Sequence, residues 1–314
     1  MDNRIEIQRY IPALQSEWDT FVENSRNGTF LFFRGYMDYH SDRFTDSSLL
    51  FRCNGRLVAV LPANRNGEVL WSHQGLTYGG LVLSPKCTAN HVLDIFSRLL
   101  LWLPDQGVSK WIYKCVPDIY HRYPSQEDLY ALFRNNACLI SRNLSTAIPL
   151  SSRISFSQLR RRGIKKALSA GVVIREDFGL EKFWEILSGN LSERYNTKPV
   201  HTIEEISLLK SRFPDNIHLF TACKGDRVVA GSVIFEMNDW VHSQYISASS
   251  EGKDVGALDL LFHYLITDHY AAKSIFDFGQ STENMGYYLN NGLIAQKEGF
   301  GGRGIVYDTY ELNL

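Results

Sequence analysis

The sequence predicts an α/β protein with mixed α+β sheets, made by tandem duplication of one αβ unit. Three observations predict it. Leu50–Gly80 (LFRCNGRLVAVLPANRNGEVLWSHQGLTYGG) and Leu219–Ser249 (LFTACKGDRVVAGSVIFEMNDWVHSQYISAS) share a Leu-Phe start, a Cys, a Gly turn and an Arg-hydrophobic-Val-Ala run. Both end in an apolar run holding Trp, Ser, His and Gln. The flanking segments match in the same order, at an offset near roughly 170 residues throughout. Within each copy the apolar spacing alternates between the strand and the helix period.

The first copy opens on RIEIQRY, an alternating strand, followed by a helix with Trp18 on its apolar face; the second opens on GVVIREDF and a helix carrying Trp184. Next, SDRFTDSSLLF faces KSRFPDNIHLF, with Arg43-Phe44 against Arg212-Phe213. Each quoted segment is then a Gly-turned hairpin. HVLDIFSRLLLWL and ALDLLFHYLITDHY carry helical spacing, and each precedes a strand, SKWIYKCV or KSIFDFGQ. The expected organisation is residues 1–150 as the first unit, 151–170 as a connecting helix and 171–314 as the second unit. The connector, SFSQLRRRGIKKALSAG, starts after a capping Ser157 and presents Arg160, Arg161, Arg162, Lys165 and Lys166. It reads either as a solvated helix or as a phosphate-contacting patch.

Composition narrows the function. At 44% hydrophobic and 21% charged the chain can bury a core. A net charge of −1 excludes a global pull toward polyanions, so any such contact is local. The start MDNRIEIQRY lacks an apolar signal region, and VLDIFSRLLLWLP is too short and interrupted to span a bilayer, so a cytoplasmic location is expected. Five cysteines without Cys-x-x-Cys spacing, and nine histidines without metal-ligand spacing, predict neither a structural zinc site nor any other metal.

The unit order, β-α-(α)-β-β-β-α-β with a Gly-containing loop opening the later helix, resembles the GNAT acyltransferase fold. A tandem of such units is similar to the FemAB/FemX aminoacyltransferases and to leucyl/phenylalanyl-tRNA–protein transferase. Two stretches carry the likeness in residues. IFDFGQ is similar to the strand that ends Asp-x-Gln near the reacting groups of the latter enzymes; Asp277 matches, and Gln280 falls one place late. NNGLIAQKEGFGGR is similar to the FemAB-type ending, with Lys297, Phe300 and Gly301 on its pattern and Gln296 in place of a Phe. The resemblance implies an acyl-CoA or aminoacyl-tRNA donor, the latter reached through the Arg160–Lys166 helix. Against the coenzyme A pyrophosphate loop of GNAT enzymes, EGKDVGALDLL supplies Lys253, Gly256 and Ala257, but Leu258 replaces a small residue and Glu251 and Asp254 add negative charge.

Each candidate has a functional and an architectural reading. Asp277, ending an apolar strand, either orients an attacking amine or caps the next loop; Asp277→Ala is expected to lower turnover with little loss of fold. Lys297 either meets a developing oxyanion or is a surface cation. His242 offers a general base or a half-buried structural imidazole; strand alternation places it with Gln244, and Gln244 and Tyr245 form a donor edge. Lys114 or Cys115 falls where the first copy would carry the carboxylate, which assigns the chemistry to the second copy. Arg194, Tyr195, Lys198 and His201 cluster in a loop suited to the acceptor or donor phosphates, and Tyr78 of HQGLTYGG is an acceptor contact implied by the FemAB likeness. GQSTE lacks the second Gly of a nucleophile elbow, and GFGGRG precedes a strand, so it reads as a hairpin turn rather than a dinucleotide loop. The expectation is a FemAB-like transferase moving an acyl or aminoacyl group to an amine or hydroxyl, such as a cell-envelope precursor. The alternative is a non-catalytic double-GNAT scaffold.

Overall fold

The computed structural model describes residues 5–314, apart from the side chains of Arg194 and Tyr195. The chain divides into two compact units. The first takes residues up to Asn143 with Asn284–Tyr287 and Val306–Leu314, and the second takes Leu144–Glu283 with Tyr288–Ile305.

In the first unit, β1 (Ile5–Arg9) pairs antiparallel with β2 (Leu49–Cys53), which pairs with β3 (Arg56–Leu61). Between β1 and β2, α1 (Gln15–Glu23) buries Trp18, whose indole N–H donates to the Phe32 carbonyl at 2.7 Å. The strand that follows β3 is broken in two. β4 (Val69–Trp71) lies parallel to β6 (Lys110–Lys114), and β5 (Val82–Leu83) returns to β3. α2 (Ala89–Asp105) starts on a reciprocal cap between Thr88 and His91. Its Val92, Ile95, Phe96, Leu99 and Leu103 are buried at helical spacing, facing the core that holds Phe51, Trp111 and Tyr113. α3 (Glu127–Arg134) follows, then β7 (Cys138–Pro149).

The second unit repeats this order. After α4 (Gln158–Ser169), β8 (Val172–Glu176), α5 (Leu180–Tyr195) and α6 (Ile203–Arg212) lead to the antiparallel β9 (Ile217–Lys224), β10 (Arg227–Glu236) and β11 (Trp240–Ala248). Two helical pieces, α7 (Ser250–Val255) and α8 (Ala257–Tyr264), join β11 to β12 (Ile275–Gln280). β12 lies parallel to β11 on one side and antiparallel to residues 145–149 of β7 on the other. α9 (Asn291–Glu298) and β13 (Arg303–Asn313) close the chain. The core, including Phe220, Val241, Phe276, Phe278 and Phe300, is covered by α8 and by Ile164 and Ala167 of α4.

The duplication extends to irregularities. β1 and β8 show the same burial sequence along five residues. In the first hairpin Val58 is an extra residue, because Phe51 faces Ala59 and Arg52 faces Leu57; in the second Val229 is the extra residue, between the Ala222–Ala230 and Cys223–Val228 pairs. Counted from these bulges, Cys53 corresponds to Lys224, so the two cysteines that align by eye are not equivalent. Two further expectations change. The basic segment 158–169 packs as α4 inside the second unit instead of linking the copies. The GFGGRG stretch is a helix-to-strand turn rather than a hairpin, with Gly301 at φ +91° where a side chain would strike the Ile154 carbonyl.

Candidate active site

β11 and β12 are paired over only three rungs, Trp240–Ile275, Val241–Phe276 and His242–Asp277. Beyond the third, β11 continues along β10 to Ala248, while β12 bends toward β7, its register shifting between Asp277 and Gln280. Parallel strands that part in this way leave an opening beside their last rung.

That rung carries the two groups of greatest chemical interest. Asp277 is fully buried. Its Oδ1 accepts from the Ser145 hydroxyl at 2.7 Å and from the Gly279 N–H at 3.0 Å, and its Oδ2 lies 2.7 Å from His242 Nδ1. With the carboxylate ionised, all three contacts have a donor on the partner, so the imidazole carries its proton on Nδ1 and turns Nε2 away from the acid. The His242 side chain keeps 12% exposure against 0% for Asp277. Gly279, at φ +75°, leaves room there, since a methyl group on it would come within 3.2 Å of His242 Cε1. A buried acid fixing one nitrogen of a partly accessible imidazole is an arrangement that can accept a proton from a bound nucleophile.

Lys297 is buried, and its ammonium donates to the Gly279 and Gln280 carbonyls at 2.8 and 2.7 Å. Burial lowers its pKa to about 8, opposed by the negative Asp277. The group therefore pins the backbone at the end of β12 instead of extending as a surface cation. Phe300 stacks on Phe278 at 5.6 Å, from the same strand end. Lys297 and Phe300 thus act together as a clamp on the segment that carries Asp277, while Gly301 packs against the Ile154 carbonyl.

Simple alternation misplaces Gln244. His242 faces Phe235, Tyr245 faces Val233 and Ser247 faces Gly231, so these three share a side of the sheet; Gln244 is the extra residue of a β-bulge. On that side Tyr245 is buried against Trp184, ring centroids 5.1 Å apart, and its hydroxyl meets His201 Nδ1 at 2.6 Å. Burial pushes the Tyr245 hydroxyl up to about 12, opposed by hydrogen bonds from the His201 backbone and the Gln244 side chain. His201 is itself buried, immediately before the Thr202–Glu205 capping box that starts α6. The donor-edge candidate Tyr245 and the loop candidate His201 are therefore one cluster.

The expected pyrophosphate loop has another shape. Ser249 caps α7 through the Gly252 N–H, and Lys253 reaches Asn190 Oδ1 at 2.9 Å. Glu251 bridges Lys224 and Arg227 at 3.1 Å each. Gly256 sits at φ +77° with its Cα against α4, where a side chain would lie 2.6 Å from the Gly163 carbonyl, and Ala257 is fully buried. Gly256 and Ala257 are therefore helix-packing residues, and the second helical N-terminus is covered by α4. Arg160 is withdrawn from the basic face by the same contact. It pairs with Asp259 at 2.5 Å and stacks over Phe300.

The remaining candidates are dispersed. Lys198 is exposed. Arg194 and Tyr195 end α5, with side chains outside the described residues. Tyr78 lies inside the first unit, packed on Tyr120 with centroids 4.9 Å apart and donating to Thr29 at 3.3 Å, so an acceptor would have to displace that aromatic cluster to touch it. Two members of the site have no signal in the sequence. Ser145 is 132 positions from the acid it serves, and Asn190 bonds Ser247 and the Ala248 carbonyl across 57 and 58 positions. Among the described residues there is no group of three or more His, Cys, Asp or Glu side chains placed to hold a metal, and no helix long and apolar enough to cross a membrane.

With this geometry in hand, comparison with known proteins defines the class. The chain superimposes on FemX with a TM-score of 0.66 at 12% identity, over 98% of this chain and 97% of that one. The C-terminal domain of a putative lysylphosphatidylglycerol synthetase from Agrobacterium fabrum gives 0.62 at 11% identity, over 96% and 92%. A tandem GNAT protein from the clavulanic acid biosynthesis pathway gives 0.56 at 9%, over 98% of both chains. At these identities the likeness is one of fold, and the fold is a tandem GNAT fold. Residues 156–287 match the acetyltransferase (GNAT) domain model. No curated protein matches the sequence.

Proposed function

We propose that the second unit catalyses acyl transfer from a thioester or ester donor, an acyl-CoA or an aminoacyl-tRNA, to an amine or hydroxyl acceptor, with a cell-envelope precursor as the acceptor class. The observation that carries this reading is the Asp277–His242 pair on the last rung before the strands part. The donor lies in that opening. As the acceptor nitrogen or oxygen attacks the donor carbonyl, His242 Nε2 takes its proton and Asp277 holds the resulting imidazolium through Nδ1–H. Collapse of the tetrahedral intermediate breaks the bond to the thiolate or tRNA oxygen, which leaves with the proton from His242. No covalent enzyme intermediate is required. Lys297 is assigned a positioning role, because its ammonium serves the Gly279 and Gln280 carbonyls. Tyr245, His201 and Lys253 line the donor and acceptor approaches in this reading.

The test has two parts. Thermal shift with acetyl-CoA, longer acyl-CoAs and bulk aminoacyl-tRNA identifies the donor, which at a hundred times its Kd raises stability by about 2.7 kcal/mol. Donor consumption with a panel of amine and hydroxyl acceptors then compares the wild type with His242→Ala. A shift retained by the variant together with lost turnover supports the proposal. Equal turnover in both, or no shift with any donor, rejects it, the latter in favour of a binding scaffold.

A further inference from the structure

In the first unit, β1 and α2 leave a strand edge and a helix stripe open side by side. β1 is the edge of the four-stranded sheet β1–β2–β3–β5, with β2 on one side and no strand among the described residues on the other. The Tyr10 N–H donates to the Ser48 carbonyl at 2.9 Å, and alternation along the ladder turns Gln8 and Glu6 the same way. The N–H and C=O groups of Ile5, Ile7 and Arg9 therefore point outward, in a row that templates another strand. Beside that row runs an open groove lined by Ile5, Ile7, Arg98, Leu101, Trp102 and Asp105. The four helical residues lie at i, i+3, i+4 and i+7, which makes them one stripe of α2. Leu101, at the middle of the stripe, is 77% exposed. Arg98 and Asp105, at its ends, are two turns apart and have no ion-pair partner among the described residues.

The duplicate shows that such a place takes a cover. In the second unit the corresponding strand and helix, β8 and α8, both touch α4, whose Ile164 and Ala167 are buried there. No described element fills that position in the first unit. The charges select a second copy of the chain as the cover. A two-fold axis normal to the sheet at Ile7 runs β1 antiparallel to itself, Ile7 opposite Ile7 and Ile5 opposite Arg9, and uses every outward backbone group. The Arg9 guanidinium lies over the Trp102 ring at 5.5 Å, so the middle of the stripe runs alongside β1. The same axis then sets α2 antiparallel to its copy. Because the stripe is centred between Leu101 and Trp102, Arg98 of each copy meets Asp105 of the other, and Leu101 meets Trp102. We infer that this face joins two copies of the chain into a two-fold dimer through β1 and α2. The inference is independent of the acyl-transfer site.

Sedimentation velocity of the full chain over a concentration series tests it, and a monomer–dimer equilibrium is expected. Ile7→Pro removes an outward N–H that β2 does not use, so it should abolish the dimer while circular dichroism still reports a folded protein. Arg98→Asp alone, or Asp105→Arg alone, opposes like charges twice across the axis and should raise the dimer Kd about tenfold or more. The double variant Arg98→Asp, Asp105→Arg exchanges the two signs and should restore the wild-type Kd. These exposed positions decide the matter if Ile7→Pro fails to fold. A monomer at every concentration, a dimer that survives in folded Ile7→Pro, a Kd indifferent to the single charge changes, or one that the double variant does not restore would overturn the inference.

Discussion

The two units reach the same point in the fold with different residues. Both have a parallel pair of strands that part after three rungs. The last rung is His242–Asp277 in the second unit and Trp71–Ile112 in the first. Rung for rung, Ile112 therefore stands in the place of the acid, and Lys114 and Cys115, the two residues that sequence alignment offers there, lie two and three positions beyond it. The strand after the rung differs as well. β11 runs on through Ala248, whereas the first unit inserts residues 72–81 between β4 and β5. His73, on that insertion, takes a left-handed φ of +62° and is buried beside His40, and Lys114 donates to the carbonyls of His73, Gln74 and Leu76. One backbone plan thus holds an acid–imidazole pair in one copy and a lysine-tied loop in the other. Similar residues in sequence do not secure similar chemistry; an unbroken strand and the last rung do.

The largest effect should come from making the second unit resemble the first. His242→Phe removes the imidazole while keeping a ring, and turnover should fall about 10²–10⁴-fold, with donor-induced thermal shift retained. Asp277→Asn should approach the same loss. Asp277→Ala is a poorer probe than the sequence suggested. It strands the Ser145 hydroxyl, the Gly279 N–H and His242 in a buried site, so a loss of about 3 kcal/mol or more is expected in urea denaturation. If Asp277→Ala unfolds at the wild-type midpoint, the described network is wrong.

The histidines offer a second contrast. Burial, with the positive Lys114 and Arg34 and the neighbouring His40, lowers the pKa of His73 to about 3. The folded protein then holds His73 neutral while the unfolded chain protonates it near 6.5. The stability due to His73 is full above pH 6.5 and is lost as pH falls from 6.5 toward 3, by up to roughly 5 kcal/mol. His73→Asn, which tolerates the left-handed backbone, should flatten that part of the pH–stability curve relative to wild type. Parallel curves would show that His73 titrates normally.

How much of this was legible in the sequence follows from range. Features set within a few residues were readable: the Ser157 cap, the buried Trp18 and Trp184 and the Gly-turned hairpins. The repeat was readable because turn and strand signals recur together. Asp277 stood out because an acid ending an apolar strand needs a partner. Features decided by packing at a distance were not. Nothing near Gln244 announces a bulge that turns Tyr245, not Gln244, to the side of His242, since register is set by β10. Lys297 and Tyr78 look exposable in sequence, and each is enclosed by residues remote along the chain.

The lysines sharpen the comparison at moderate size. Each unit holds one beside the place where its strands part, fully buried in the second unit and half-buried in the first, and desolvation lowers both to a pKa of about 8. Lys297→Met should leave two carbonyls without their donor, costing about 2–3 kcal/mol in thermal or urea unfolding, and should lower turnover by loosening Gly279 beside His242. Lys114→Met should cost a similar amount with turnover unchanged, because its three carbonyls belong to the copy without the acid. Equal losses of turnover in the two variants would contradict the assignment of chemistry to one unit.

The smallest effect is expected at Ser145. Its hydroxyl gives Asp277 one of three hydrogen bonds, while Gly279 and His242 supply the others. Ser145→Ala removes a donor without stranding another polar group, except on Oδ1, which keeps the Gly279 N–H. A loss of about 1 kcal/mol in stability is therefore expected. The change also leaves the carboxylate free to turn about its Cβ–Cγ bond, which loosens its hold on His242 Nδ1. Turnover should fall a few-fold at unchanged KM for the donor, because the carboxylate that orients His242 is then held by two groups instead of three. Wild-type turnover in Ser145→Ala would instead mark Ser145 as a packing residue, and the carboxylate as sufficiently held by its other two partners.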